Sequence, residues 1–200
     1  NLRVRLRKLF SLHILKPLRT QWLRVRAQEA NQPRIFSSIP SNTPLTSAPD
    51  DYFPAGQAKW YSLPGGKDRD RKIFFTDQSF GQGGSAQALV FVHGNPECSY
   101  VFRKVICWLL KKKLPSTRII TVDHIGFGLS DQATRPMDPL DHAVNLTQLI
   151  EHLNLRKATL VVHDWGGPIG FGAFLNKPDL LKKVVILNSS VFPLPKNGFN

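Results

Sequence analysis

The stretch from Ala158 to Gly170, which reads A-T-L-V-V-H-D-W-G-G-P-I-G, constrains the fold more than any other part of the chain. Its first part, Thr159 to Val162, is a short apolar run rich in β-branched residues, which predicts a strand buried on both faces, as in a parallel sheet. Asp164 follows two residues later, then two glycines, and a helix-compatible run begins at about Pro168. This order predicts a strand, a tight turn with Asp164 at its tip, and a helix.

A turn of this kind holds its tip side chain in a strained, exposed position, because small flanking residues let the strand and helix backbones approach closely. The Gly-x-Ser-x-Gly elbow works in the same way, with a hydroxyl at the tip. A carboxylate is already ionised at neutral pH, so Asp164 would need no base to act as a nucleophile and would form an ester with carbon. An isolated Asp at a strand end more often caps the next helix, so this hypothesis depends on the motifs that accompany Asp164.

The positive charge of the chain is concentrated at its start. The 200 residues carry a formal net charge of +13, and residues 1–36 hold nine Lys/Arg against one acidic residue, Glu29. The basic and apolar composition of residues 1–28 suits a mitochondrial-type targeting segment, a membrane-surface helix or a solvated leader. The compartment therefore stays open between the cytoplasm and a mitochondrial or membrane-associated location. No nucleic-acid-binding motif accompanies the charge, so nucleic acid is not an expected partner.

The composition changes twice along the chain and predicts three segments. Residues 1–36 form the basic leader, and residues 37–50 are rich in Ser, Pro and Thr, which is typical of a linker. Residues 51–200 are long enough for one domain with a hydrophobic core. The sequence has no run of about 20 apolar residues, so no transmembrane helix is expected. Because the chain starts at Asn1 and ends soon after a strand, we expect it to be a piece of a longer protein.

Strands and helices are predicted to alternate through the third segment. The predicted strands are 59–63, 72–76, 88–92, 118–122, 159–162 and 183–188, and the predicted helices are 97–113, 139–153 and a third from about 168. In the first helix we expect Val101, Val105, Trp108 and Leu109 to form the apolar face. This alternation predicts an α/β fold with a mostly parallel sheet and helices on both faces. Ligands of such sheets bind beyond the carboxyl ends of the strands.

Three motifs lie at those strand ends: F-V-H-G-N-P at Phe91–Pro96, D-H-I-G-F-G-L-S at Asp123–Ser130 and V-V-H-D-W-G-G at Val161–Gly167. Together, in this order and spacing, they resemble the α/β-hydrolase fold. More narrowly, they resemble the haloalkane dehalogenase group, in which Asp replaces Ser at the elbow. The resemblance extends from about Asp51 to Phe192.

The resemblance implies a role for each of three residues. Asp164 would be the nucleophile, and the backbone N–H groups of Asn95 and Trp165 would form the oxyanion hole. The side-chain amide of Asn95 and the indole N–H of Trp165 would hold a departing halide. Considered singly, Asn95 could equally shape a turn and Trp165 could pack against the helix. The implied substrate is a small apolar molecule, and the chemistry needs no metal or organic cofactor.

No histidine of the chain is predicted to act as the general base. His93, His124 and His163 lie inside the motifs, and His142 falls on a predicted helix. The resemblance places the catalytic His after the last strand, and it places both that His and a cap domain beyond Asn200. We therefore expect residues 1–200 alone to be inactive.

The chain also departs from some dehalogenases, because Asn188-Ser189-Ser190 contains no carboxylate where they carry their second acid. The phrases D-H-I-G-F-G-L-S and V-V-I-L-N-S-S-V-F are more similar to the β-lactone decarboxylases of bacterial long-chain olefin synthesis. Epoxide hydrolases share H-D-W-G-G but usually carry an aromatic residue where Asn95 stands. Esterases and lipases are disfavoured because no Ser occupies the elbow tip. A non-catalytic member docked to a membrane or an assembly by the basic leader is a further alternative, and the oligomeric state is open.

Overall fold

The computed structural model describes residues 35–36, 42–53, 57–80, 87–112 and 114–190. The strands are β1 (Ile35–Phe36), β2 (Ala58–Ser62), β3 (Lys72–Phe80), β4 (Gln87–Val92), β5 (Thr117–Asp123), β6 (Ala158–Asp164) and β7 (Leu181–Ser189). The α-helices are α1 (Arg103–Leu110), α2 (Pro139–His152) and α3 (Gly166–Phe174), and short 3₁₀ helices lie at Ser99–Phe102 and Pro178–Leu180. Among these described residues, no helix combines the length and the apolarity that crossing a bilayer requires.

The strands form one sheet in the order β1-β2-β3-β5-β4-β6-β7. The last four strands of this order pair in parallel. The pairs β1–β2, β2–β3 and β3–β5 are antiparallel. The predicted α/β-hydrolase class is confirmed, and the antiparallel share of the sheet is larger than the predicted mostly parallel arrangement. Antiparallel strands can be joined by a short turn, so the first part of the chain needs no helical crossover.

Helices cover both faces of the sheet, as predicted. Alternate residues of each central strand face opposite sides, so β4 contributes Val90 and Val92 to one core and Phe91 to the other. The first core packs against α2 and α3, and the second packs against α1. Continuous apolar runs in β4, β5 and β6 follow from burial on both faces.

The buried face of α1 differs from the predicted one. Phe102 and Ile106 pack against the sheet, and the predicted Leu109 packs there partly buried, while Val101, Val105 and Trp108 are 40%, 47% and 57% exposed. Both sets follow helical spacing, so periodicity alone does not distinguish them. The second set lies on β4, β5 and β6, where it packs with Phe91, Ile119 and Val161.

Two contacts lie in the segments predicted as the leader and the linker. Ile35 and Phe36, assigned to the end of the leader, form β1 and pair with Tyr61 and Trp60 of β2. The described part of the linker, residues 42–50, contacts the domain, since the Leu45 N–H donates to the carbonyl of Gly128 at 2.9 Å. The roles predicted for residues 1–28 lie outside the described residues and stay predictions.

The orientation of α1 predicts different costs for two neighbouring truncations. Ile106→Ala should lower the free energy of unfolding by about 2–4 kcal/mol, because it leaves a cavity in the core beneath α1. Val105→Ala is the matched control and should change it by less than about 0.5 kcal/mol, because Val105 faces outwards. Denaturant unfolding of the intact protein measures both. A larger loss for Val105→Ala than for Ile106→Ala would show that the helix is rotated.

Candidate active site

The elbow predicted from the sequence is present at the end of β6. Asp164 is the last residue of β6 and has a φ of +49°, and α3 begins two residues later at Gly166. Positive φ is uncommon for a residue other than Gly and is strained, so the surrounding structure must hold it. The Ser189 hydroxyl of β7 donates to the Asp164 carbonyl. A Cβ atom at Gly166 would overlap the carbonyl oxygen of Val92, so only glycine lets α3 pass this close to β4.

The loop after β4 brings a backbone donor to the Asp164 side chain. The Asn95 N–H donates to Asp164 Oδ1 at 2.9 Å. This approach requires Gly94, because a Cβ atom there would overlap the Asp164 carboxylate. Since β4 and β6 are adjacent parallel strands, their carboxyl ends lie at the same edge of the sheet and their loops meet.

Trp165 follows Asp164 directly and shares one cavity with Asn95. The cavity has a volume of about 440 Å³, and the Trp165 side chain is 37% exposed. It is lined by Gly94, Asn95, His124, Ile125, Gly126, Phe127, Ala133, Met137, Pro139, His142, Trp165 and Ile169. The structure therefore brings the three residues singled out in the sequence close together. Asn95 and Trp165 line a mostly apolar pocket with a few polar groups, and Asp164 contacts Asn95 and directly precedes Trp165.

Asp123, the first residue of the second motif, has a different environment from Asp164. It is fully buried, and its carboxylate accepts from the Ser99 N–H at 2.7 Å, the Leu129 N–H at 2.9 Å and the Tyr52 hydroxyl at 2.7 Å. Burial, together with the Asp123 carboxylate, raises the pKa of Tyr52 far above its usual value, so this hydroxyl stays protonated and donates. Asp123 therefore holds the loop beside the cavity rather than reacting in it.

A family comparison agrees with this geometry. A profile described as alpha/beta hydrolase fold matches residues 87–199, which contain the elbow, the loop after β4 and the cavity. The chain belongs to the α/β-hydrolase family. In chain order, the two loops that form the site are separated by the first 3₁₀ turn, α1, β5 and α2.

The curated relatives of this α/β-hydrolase include two kinds of enzyme. A cis-3-alkyl-4-alkyloxetan-2-one decarboxylase of Shewanella oneidensis is 40% identical over 56% of the chain and 35% of its own length. Haloalkane dehalogenase 2 of Mycobacterium tuberculosis is 27% identical over 72% of the chain and 46% of its own length. The solved haloalkane dehalogenase of Paraglaciecola agarilytica superposes with a TM-score of 0.63, at 28% identity, over 76% of this chain and 50% of that one. The chain thus spans less than half the length of these curated relatives.

Three neighbouring histidines lie at the cavity of this α/β-hydrolase, and two of them, His124 and His142, are part of its wall. The rings of His93 and His124 lie 4.3 Å apart between centroids, and those of His124 and His142 lie 5.1 Å apart. His93 Nε2 accepts from the His124 N–H at 3.0 Å, so its Nδ1–H must donate to the Gly94 carbonyl at 2.7 Å. This bond fixes the neutral tautomer of His93 and steadies the loop that carries Asn95.

His142 was missed as a cavity residue because the sequence analysis assigned it only to a helix. A signal was available, since His142 lies four residues before Leu146 and seven before Leu149, which are on the buried face of α2. Burial, and next the His93 ring, lower the pKa of His142 to about 4. Burial also lowers the pKa of His124 well below its usual value. The cavity wall is therefore neutral at physiological pH.

The neutral His142 predicts an acid-sensitive stability. In the unfolded chain His142 takes up a proton below pH of about 6.5, whereas in the folded state it does so only near pH 4, so stability is lost as pH falls through this window. Between pH 7.5 and pH 5, His142 should account for a loss of about 2 kcal/mol in the free energy of unfolding. His142→Phe should remove that part of the loss in denaturant unfolding of the intact protein.

The control for this experiment is His152, at the other end of α2. It stacks on Tyr61 and is half-buried, and burial lowers its pKa. His152→Phe should therefore reduce the pH dependence by less than His142→Phe does. An unchanged pH dependence in His142→Phe would contradict the assignment of a neutral, buried His142.

Proposed function

We propose that the intact protein is a hydrolase of haloalkane dehalogenase type, in which Asp164 displaces a leaving group from carbon and forms an aspartyl ester. The observation that carries the proposal is the Asn95 N–H at 2.9 Å from Asp164 Oδ1, at an elbow where Asp164 has a φ of +49°. A carboxylate that served only as a helix cap would instead accept from the first turn of α3. Similarity to dehalogenases and to β-lactone decarboxylases supports the proposal.

In the first step, the bond from Asn95 occupies Oδ1 and leaves Oδ2 free to attack a substrate carbon in line with its leaving group. The new bond joins Oδ2 to carbon, and the leaving group departs with the electron pair of its bond. The indole N–H of Trp165 and the side-chain amide of Asn95 are neutral donors on the wall of the same cavity. They can bind the departing anion without first losing a charge partner.

In the second step, water attacks the ester carbonyl carbon of Asp164, and negative charge develops on Oδ1. The Asn95 N–H already lies at hydrogen-bond distance from that oxygen, so it can stabilise the charge without moving. Collapse of the intermediate releases the alcohol and restores the carboxylate, and the proton of the water passes to a base. His93 and His124 are engaged with backbone groups of the loops. We therefore assign the base to a histidine outside the described residues.

The second candidate is a β-lactone decarboxylase of the long-chain olefin type. Two observations favour it: identity to the decarboxylase is 40%, against 27% to the mycobacterial dehalogenase, and no carboxylate follows β7 at Asn188-Ser189-Ser190. The same elbow, oxyanion donor and apolar cavity would serve a cis-disubstituted β-lactone. The two candidates differ in their products, since a dehalogenase releases halide and a decarboxylase releases an alkene and CO₂.

The nucleophile is tested with the intact protein, a panel of haloalkanes and a cis-β-lactone. Asp164→Asn should lower the rate of product formation by at least ~100-fold, because the variant lacks the attacking oxyanion. Asp123→Asn is not a suitable control, because Asp123 supports the fold. Asp179→Asn replaces an exposed carboxylate in the second 3₁₀ helix and should leave the rate unchanged.

Isotope incorporation tests the ester directly. After several turnovers in ¹⁸O-labelled water, the peptide that contains Asp164 should carry ¹⁸O, because water attacks the carboxyl carbon of the ester. The peptide that contains the buried Asp123 should remain unlabelled. Full activity in Asp164→Asn, or label-free Asp164 in an active enzyme, would overturn the nucleophile assignment. No product from either substrate class, in a protein that binds liposomes through residues 1–28, would favour the non-catalytic alternative.

A further inference from the structure

The loop after β4 and the end of β6 meet at the candidate site, but the backbone hydrogen bonds of the sheet end before they reach it. Backbone pairing between β4 and β6 ends at Val92 and Val162. Beyond this point the chain after β4 continues to Asn95, and the chain of β6 continues to Asp164. The contact between the Asn95 N–H and Asp164 Oδ1 therefore lies outside the ladder of the sheet and needs other support.

A side-chain pair connects the same two loops next to this contact. His163 Nδ1 and Glu97 Oε2 lie 2.7 Å apart. Glu97 follows Asn95 by two residues, and His163 directly precedes Asp164. Each side chain is about one quarter exposed, at 27% and 26%. The pair thus joins the loop that carries the donor to the strand that carries the acceptor.

The pair lies on the other side of the strand from the cavity. Side chains alternate along β6, so His163 shares its face with Val161, which belongs to the core beneath α1. Neither Glu97 nor His163 lines the cavity that contains Asn95 and Trp165. Because His163 lies on the α1 side of β6 and Glu97 pairs with it, these two residues are placed to act on the geometry of the two loops.

We propose that Glu97 and His163 are positioning residues, whose hydrogen bond holds the Asn95 N–H against Asp164 Oδ1. The proposal rests on the aspartyl-ester function and adds to it the residues that keep the oxyanion donor in place. A donor turned away from Oδ1 loses much of its interaction with a developing charge, because hydrogen bonds weaken steeply when the angle at the hydrogen falls below about 120°.

The two chemical steps should respond differently to loss of the pair. In ester formation Oδ2 attacks and negative charge leaves with the departing group, so Oδ1 gains no charge. In ester hydrolysis the charge develops on Oδ1, to which Asn95 donates. Removal of a whole oxyanion donor slows reactions by about 10²–10³-fold, so a loosened donor should slow hydrolysis by about tenfold. Ester formation should change by less than about twofold.

The two steps are separated by measuring how much Asp164 ester is present over time. The full protein reacts with a haloalkane or a β-lactone that the wild type converts, the reaction is rapidly quenched, and the ester is detected by intact mass. Glu97→Ala should accumulate the Asp164 ester, with hydrolysis slowed about tenfold and its formation nearly unchanged. Glu97→Gln keeps an oxygen acceptor for His163 Nδ1–H and should restore most of the hydrolysis rate. Adding His163→Ala to Glu97→Ala should cost little more, because both changes remove the same bond.

Glu151→Ala is the matched control. Glu151 pairs with Lys177 at 2.7 Å and is 22% exposed, so it has a similar environment at a place away from the cavity. It should change neither step. Equal slowing of both steps in Glu97→Ala, or no change in either, would overturn the positioning role.

A second measurement keeps this test separate from the test of function. Hydrogen exchange of the Asn95 amide should be faster in Glu97→Ala than in the wild type and unchanged in Glu151→Ala, whatever reaction the protein performs. If the wild type forms no ester, the proposed function fails while the exchange result still decides whether the pair holds the loop. Unchanged exchange at Asn95 in Glu97→Ala would refute the inference in either case.

Discussion

The adjacency of β4 and β6 as parallel strands makes the site possible. Their carboxyl ends lie at one edge of the sheet, so the backbone N–H of Asn95 meets the side chain of Asp164 at 2.9 Å. Two glycines make the approach sterically possible, since a Cβ atom at Gly94 or Gly166 would overlap the opposite strand end. This packing keeps Asp164 at its strained, positive φ, because a strained backbone persists only where the surrounding structure holds it.

The two aspartates at the ends of β5 and β6, the strands on either side of β4, show how surroundings decide a role. Asp123 is buried and accepts hydrogen bonds from two backbone amides and the Tyr52 hydroxyl, so its oxygens are committed to the fold. Asp164 is partly exposed and receives the Asn95 N–H on one oxygen. Both residues end a buried apolar strand. The hydrogen-bond partners of each carboxylate distinguish the structural Asp123 from the candidate nucleophile Asp164.

The sequence allowed prediction of the elements that depend on local pattern. The elbow was predictable because an apolar run, one Asp and paired glycines leave few alternatives, and α2 was predictable because Asp138 and Pro139 mark its start. The face of α1 was not, since the Val101 and Phe102 stripes have the same period. The attachment of residues 42–50 depends on two backbone bonds, from Leu45 to Gly128 and from Gln132 to Asn42, and on the packing of Leu45 and Ala48, none of which composition reveals.

The cavity wall keeps its charges paired behind it, which suits an apolar substrate. Arg135 binds Asp141 at 2.5 Å and Asp68 at 3.0 Å, and Lys67 and Asn145 complete the network. Burial opposes ionisation of Asp141, but the hydrogen bonds from Arg135 and Lys67 outweigh it and lower its pKa to about 2.

Asp141 therefore stays ionised and neutralised by Arg135, while the adjacent His142 stays uncharged. The cavity wall next to Asp164, which contacts Asn95 of that wall, therefore carries no formal charge. A cation on that wall would pair with the carboxylate and weaken it as a nucleophile, and a second anion would oppose the departure of a negatively charged leaving group. The neutral histidines and the paired network thus serve the same end, since both keep formal charge away from the candidate site residues Asp164, Asn95 and Trp165.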